Sequence, residues 1–331
     1  MEWLRDAGLL SAPLADPATG DHLIANVPLL STILTILGSA SLTVGRLYEG
    51  HVNAVTLVRA YGGADAIMIL SNEVAHGNIS GVWNAERQSG PLVIRGDGEW
   101  SLTGTKIFCS GAGTIRRPIV TARDADDRIL MLLPDMTDPG VTIDLSGWRA
   151  TGMRGTATGT VHFDQVIVPD LAVIGIPGDY YRSPLFSGGA WRVLAVQLGG
   201  LQRILALHAN ALEQSGRDGD PIFRARFAAA AGAYELARLL VEAASDRTIR
   251  PQATDDEIDA YADQARGAFE PIALAGIEAA RRNVGLSSFI APHALDRVIR
   301  DLETYLRQPF LDASRDAAAR WLLPRRGRFE P

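Results

Sequence analysis

Leu102-Thr103-Gly104-Thr105-Lys106-Ile107-Phe108-Cys109-Ser110-Gly111-Ala112-Gly113 alternates apolar and polar residues and then halts in closely spaced glycines, the pattern of a strand feeding a tight loop. Further on, Gly152-Met153-Arg154-Gly155-Thr156-Ala157-Thr158-Gly159 leads into Val161-His162-Phe163-Asp164-Gln165-Val166-Ile167-Val168-Pro169, a second alternating strand closed by proline. The period of two runs through 80–173, with turn-forming clusters at Ser89-Gly90-Pro91, Gly96-Asp97-Gly98, 124–127 and Asp138-Pro139-Gly140. This predicts a compact antiparallel β domain. In-out alternation sets Cys109 on the face opposite Phe108 and Ser110, as a packed rather than a reactive thiol.

Outside that stretch the period becomes helical. Leu29, Leu30, Ile33, Ile36 and Leu37 form one run and Val52, Val55, Leu57 and Val58 the next. Beyond Tyr180 helices are expected over 191–214, 222–248, 255–282 and 295–306, with a last one near 312–323. Alanine-rich helices of this length, joined by short turns, suit a four-helix bundle. The fold class is therefore α+β, mainly α: a helical domain over 1–79, a β domain over 80–175 and a helical bundle over 176–331.

Composition narrows the function classes. A chain of 331 residues with 47% hydrophobic and 21% charged residues buries a sizeable core and folds throughout. A net charge of -6 gives no general attraction to phosphate backbones, so nucleic acid is not expected as a partner. One cysteine forms no internal disulfide and fits a reducing cytoplasm. No charged-then-apolar signal opens the chain, and the apolar stretch 27–42 is too short to span a bilayer, so a cytoplasmic protein without membrane contact is expected. The six histidines lack metal-binding spacing, and neither a nucleophile elbow nor a phosphate loop is present.

The domain order and the two glycine-bearing blocks resemble the acyl-CoA dehydrogenase superfamily over nearly the whole chain, as a divergent member. The resemblance implies FAD, with FMN as the alternative, held between the β domain and the bundle by loop contacts. By position Phe108 matches an aromatic beside the flavin ring and Ser110, followed by Gly111, a hydroxyl on the N5 side. Trp83-Asn84-Ala85-Glu86 stands where the family's loop meets the pyrimidine edge, although the usual Thr-Glu-Pro and Gly-Ser-Asp pattern is missing. Phe108 and Trp83 are otherwise core aromatics of a β domain. Arg154, near Thr156, is either a clamp for phosphate or acyl carbonyl, or a surface ion-pair partner. Gly199-Gly200 suits either a close approach to flavin or a helix-packing contact.

Dehydrogenation of an acyl thioester needs a carboxylate to take the α proton while hydride leaves for the flavin. Counting on from the pair Arg300-Asp301, the base position of many family members falls on Pro309, which abstracts no proton. Glu213 and Glu303 are the substitute bases, each weighed against a solvated helix-face charge, and Arg300-Asp301 reads as an ion pair or helix-end contact. The blocks that hold the adenosine diphosphate in relatives are replaced by Gln214-Ser215-Gly216-Arg217-Asp218-Gly219 and Arg282-Asn283-Val284-Gly285-Leu286-Ser287, where Arg217 and Arg282 remain for pyrophosphate. The N-terminal helical domain is also about one helix short of the family's. The leading expectation is a flavin-dependent oxidoreductase acting on the CH–CH group of an acyl thioester or other small molecule, as a homodimer or homotetramer. The alternatives are a monooxygenase using reduced flavin and a catalytically silent binding subunit.

Overall fold

The computed structural model describes residues 2–14, 19–87, 92–95, 99–185, 187–307 and 310–329. The expected turns at Ser89-Gly90-Pro91 and Gly96-Asp97-Gly98, and Pro309 with its neighbour Gln308, lie outside the described residues. In chain order the elements are α1 (Glu2–Asp6), α2 (Val27–Ala40), α3 (Leu42–Tyr61) and α4 (Ala64–Ala75). Strands β1 (Val82–Trp83), β2 (Leu92–Arg95), β3 (Glu99–Cys109), β4 (Ile119–Arg123), β5 (Ile129–Leu132), β6 (Val141–Asp144), β7 (Gly159–Pro169) and β8 (Val173–Ile174) follow. The remainder is helical: α5 (Trp191–Gln214), α6 (Pro221–Arg247), α7 (Asp255–Val284), α8 (Ala294–Leu306) and α9 (Leu311–Leu322).

The chain divides into two compact units. One comprises Met1–Asn26, Arg46–Arg149 and Arg154–Arg182; the other comprises Val27–Gly45, Ala150–Met153 and Ser183–Pro331.

In the first unit the strands form a sheet in the order β6-β7-β3-β2-β4-β5-β8, with β1 on β4. Pairing is antiparallel except where β4 runs parallel to β1 and to β2. Central β4 is buried on both faces through Ile119, Val120, Thr121 and Ala122, whereas β3 and β7 bury one face and wet the other, which explains their alternation. The β3–β7 ladder shifts register between Leu102 and Gly104 and again between Lys106 and Cys109. Such a bulge re-aims the side chain within it, and Phe108, held at φ 53, is that side chain.

In the second unit α2 packs along α5, and α5 also meets α6, α7 and α8. The helix starts carry legible signals. Asp220 accepts the Ile222 amide ahead of Pro221, Thr254 accepts the Glu257 amide, and Asp255, Asp256 and Glu257 place negative charge in the first turn of α7. The first half of α5 is buried all round from Leu194 to Leu201, as a helix enclosed by others must be. Gly199 lies against α2 so closely that a Cβ would stand 2.0 Å from the Thr35 carbonyl oxygen. The glycine pair therefore serves helix packing.

Candidate functional site

The loop that follows β3 is braced from beneath. Trp83 is 2% exposed, and its indole Nε1 donates to the Ser110 carbonyl at 3.0 Å. Alongside it the Ile107 amide donates to the Ala85 carbonyl, and Glu86 bridges to Lys106. The segment 83–86 and the strand end 106–110 are thus zipped together. Gly111 sits at φ 74, the left-handed region open to glycine, and its amide donates to the Thr156 carbonyl at 2.8 Å. That bond ties the loop to the short helical turn Arg154–Thr156.

Three hydroxyls meet on this wall. Thr156 and Thr158 lie 2.8 Å apart, and Thr158 donates to Ser110 Oγ over a long 3.5 Å. That direction leaves the Ser110 proton to point elsewhere. Phe108 is 67% exposed at a backbone conformation that costs a non-glycine residue about 1–2 kcal/mol. Ala157, at φ 43, carries a similar strain on the neighbouring turn. Non-glycine residues in this region cluster at functional sites because surrounding structure must hold them there. Cys109 points inward, fully buried, and desolvation pushes its thiol up to about 12, which makes it inert.

The arrangement contains residues that sequence reasoning passed over. Lys106 has no solvent exposure and donates to the Asn84 carbonyl at 3.0 Å, Glu86 Oε2 at 2.7 Å and Thr121 Oγ1 at 2.9 Å. Burial pulls its pKa down, and the hydrogen bond and charge of Glu86 oppose that. Thr121 donates to Asn84 Oδ1 at 2.7 Å, and Asn84 Nδ2 reaches the Tyr181 hydroxyl at 3.3 Å. The signal was present: a lysine on the inward face of an alternating strand needs acceptors waiting for it. Thr158, two residues past the expected Thr156, belongs to the same wall.

The residues singled out in the second unit do not gather into one cluster. Glu213 is exposed in the last turn of α5. Glu303, on α8, accepts from both terminal nitrogens of Arg281 at 2.5 and 3.1 Å. Arg217 lies 5.0 Å from the Phe223 ring centroid, and the exposed Arg282 pairs with Glu278 at 2.6 Å. Arg300 pairs with Asp296 at 2.7 Å and donates to the Thr151 carbonyl at 2.7 Å, while Asp301 accepts the Met153 amide at 2.6 Å and Thr304 Oγ1 that of Gly152 at 3.1 Å. The Arg300-Asp301 pair is therefore a clasp on the segment 150–153. Among the described residues no group of three or more His, Cys, Asp or Glu side chains is arranged to hold a metal ion, and no helix is long and apolar enough to cross a membrane.

Residues 85–166 match the family model for the acyl-CoA dehydrogenase middle domain. Dibenzothiophene monooxygenase of Rhodococcus erythropolis is 29% identical over 191 residues, spanning 54% of this chain and 45% of the relative. The match thus spans less than half the length of that relative. Among solved structures, TdsC from Paenibacillus sp. A11-2 in complex with FMN and indole superposes with a TM-score of 0.84 at 20% identity, covering 98% of this chain and 90% of that one. A glutaryl-coenzyme A dehydrogenase bound to glutaryl-CoA gives 0.85 at 18% identity, covering 97% and 86%. The chain has the acyl-CoA dehydrogenase fold and carries that superfamily's middle domain.

Proposed function

We propose that this acyl-CoA dehydrogenase-fold protein is a monooxygenase that takes up reduced FMN and oxygenates a small apolar substrate. The observation that carries the reading is the wall built by the Trp83–Ser110 hydrogen bond, which holds an exposed Phe108 and the Ser110 hydroxyl on one braced loop. Its donor set is neutral hydroxyls beside an aromatic face. That suits a planar heteroaromatic ring with carbonyl and N–H edges better than it suits a metal or a free phosphate.

In this reading Phe108 would flank the ring, Ser110 would serve its N5 side and Asn84 its pyrimidine edge, while Gly111, Thr156 and Trp83 hold the loop in place. Arg154, beside that wall, is the candidate for the FMN phosphate. Arg217 and Arg282 are engaged with Phe223 and Glu278, which favours FMN over FAD. Bound in reduced form, the flavin supplies two electrons to dioxygen, so that one oxygen atom enters the substrate and the other leaves as water.

Oxygenation is favoured over acyl thioester dehydrogenation by the state of the two carboxylates. Both carboxylate oxygens of Glu303 are taken up by the two terminal nitrogens of Arg281, and Glu213 is a solvent-facing helix charge, so neither is held ready to meet a substrate proton. Similarity to dibenzothiophene monooxygenase over 191 residues supports the same choice.

The test is a fluorescence titration of the purified protein with FMN and with FAD, followed by oxygen uptake with chemically reduced FMN and either indole or dibenzothiophene as probe. We expect FMN to bind, FAD to bind no more tightly, and oxygen consumption coupled to an oxygenated product. Bleaching of bound oxidised flavin by an acyl-CoA without oxygen would instead establish the dehydrogenase. Failure to bind either flavin would leave a silent binding subunit.

A further inference from the structure

The ammonium of Lys106 is the fixed end of a directional hydrogen-bond chain. It has three protons to give and no lone pair, and it meets three acceptors: the Asn84 carbonyl, Glu86 Oε2 and Thr121 Oγ1. Thr121 is buried, and because its oxygen already accepts from Lys106, its single proton is committed outward to Asn84 Oδ1 at 2.7 Å. An asparagine amide presents nearly the same shape either way round, so only its hydrogen-bond partners decide which end is oxygen. Here the decision is made two residues away, by a charge. The oxygen of Asn84 must face Thr121, while the Tyr181 hydroxyl lies across the amide, 3.3 Å from Nδ2 and 3.5 Å from Oδ1, so it is Thr121 that fixes which end is oxygen. Glu86 neutralises the buried ammonium at 2.7 Å and also accepts from Arg123 at 3.3 Å, so the charge stays paired without disturbing the chain.

We propose that Lys106, acting through Thr121, is a positioning residue that locks the Asn84 amide with its NH2 group as the donor offered to the flavin. The proposal rests on the flavin reading given above and specifies how that site chooses polarity. The pyrimidine edge of a flavin carries two carbonyl oxygens, which an NH2 donor satisfies; a reversed amide would set oxygen against oxygen. The main-chain carbonyl of Asn84 is withdrawn from the ligand by the same lysine.

Three variants of the full chain test this, read by FMN fluorescence titration, by the visible flavin spectrum and by thermal midpoint. Thr121→Val keeps the volume and removes the relay, so FMN affinity should fall about tenfold and the bound-flavin spectrum should shift toward that of free FMN. Thr121→Ser restores the hydroxyl and should rescue both readouts. Asn84→Asp keeps the acceptor for Thr121 but has no donor, so it should weaken FMN at least as much with little change in thermal midpoint. Thr121→Val or Asn84→Asp binding FMN with the parent's affinity and spectrum overturns the relay while leaving the flavin site intact, as does failure of Thr121→Ser to rescue. A parent protein that binds no FMN removes the flavin reading itself and the relay with it.

Discussion

His51 is wholly buried and both ring nitrogens are engaged: Nε2 lies 2.9 Å from the Leu10 carbonyl and Nδ1 accepts the Ser80 amide at 3.1 Å. That pairing requires the neutral ring with its proton on Nε2, and it joins segments far apart in sequence within the first unit. Desolvation lowers the His51 pKa to about 4, against a small opposing effect of the Leu10 carbonyl. The unfolded chain, titrating near 6.5, takes up the proton first, so stability is complete above that value and is lost as pH falls toward 4. The full loss amounts to about 3 kcal/mol at the lower end. His51→Gln can donate to Leu10 and accept from Ser80 without titrating. Urea denaturation followed from pH 7.5 down to 4.5 should show the parent losing stability more steeply than His51→Gln. Parallel pH profiles would remove His51 as the cause.

At the scale of elements, α2 and α5 approach backbone to backbone. A Cβ at Gly38 would lie 2.1 Å from the Val196 carbonyl oxygen, and one at Gly199 would meet both Thr35 O at 2.0 Å and Ser39 N at 2.5 Å. Main chain cannot swing aside as a side chain does, so Gly199→Ala must push the helices apart, at about 3 kcal/mol in lost packing. Gly232, on α6, has open space around it, and Gly232→Ala should stabilise by about 0.5–1 kcal/mol through helix propensity alone. Thermal denaturation of the two variants should move in opposite directions; equal shifts would refute the close-packing account. Whereas the N-terminal region showed only helical spacing without element bounds, the five helices after Tyr180 were legible in advance to within two residues at each end, because amphipathic period is a local signal. What Gly199 touches was not, since packing and flavin approach call for the same small residue, and only tertiary neighbours separate them. The strand and the loop that carry Phe108 and Ser110 could be read from the alternation and the glycines, their candidate roles came only from the family resemblance, and the acceptors of Lys106 come from β4 and from the segment 83–86, which no local period connects.

For the whole molecule, the period change along the sequence marks three regions, yet compactness follows the chain differently. The unit containing the C-terminal helices also takes in Val27–Gly45 from the N-terminal region and the four residues Ala150–Met153. Residues Leu30, Leu34 and Leu37 of α2 are buried, and the α2–α5 seam is one of the most extensive in that unit. Cutting the chain before Ser183 therefore strips α5 of the helix that covers its glycine face. It also leaves Asp301 and Thr304 without the amides of Met153 and Gly152. A fragment of 183–331 should retain helical circular dichroism, because α5, α6 and α7 are long and α6 and α7 are capped by Asp220 and Thr254, but lose a cooperative thermal transition and bind a hydrophobic dye. Fusing 27–45 ahead of it through a flexible Gly/Ser linker should restore cooperativity, since the missing apolar stripe returns at high effective concentration. If 183–331 alone melts sharply and stays dye-free, α2 is dispensable to those helices, and their stability lies in the contacts among α5 to α9, the packing of α9 on α7 included.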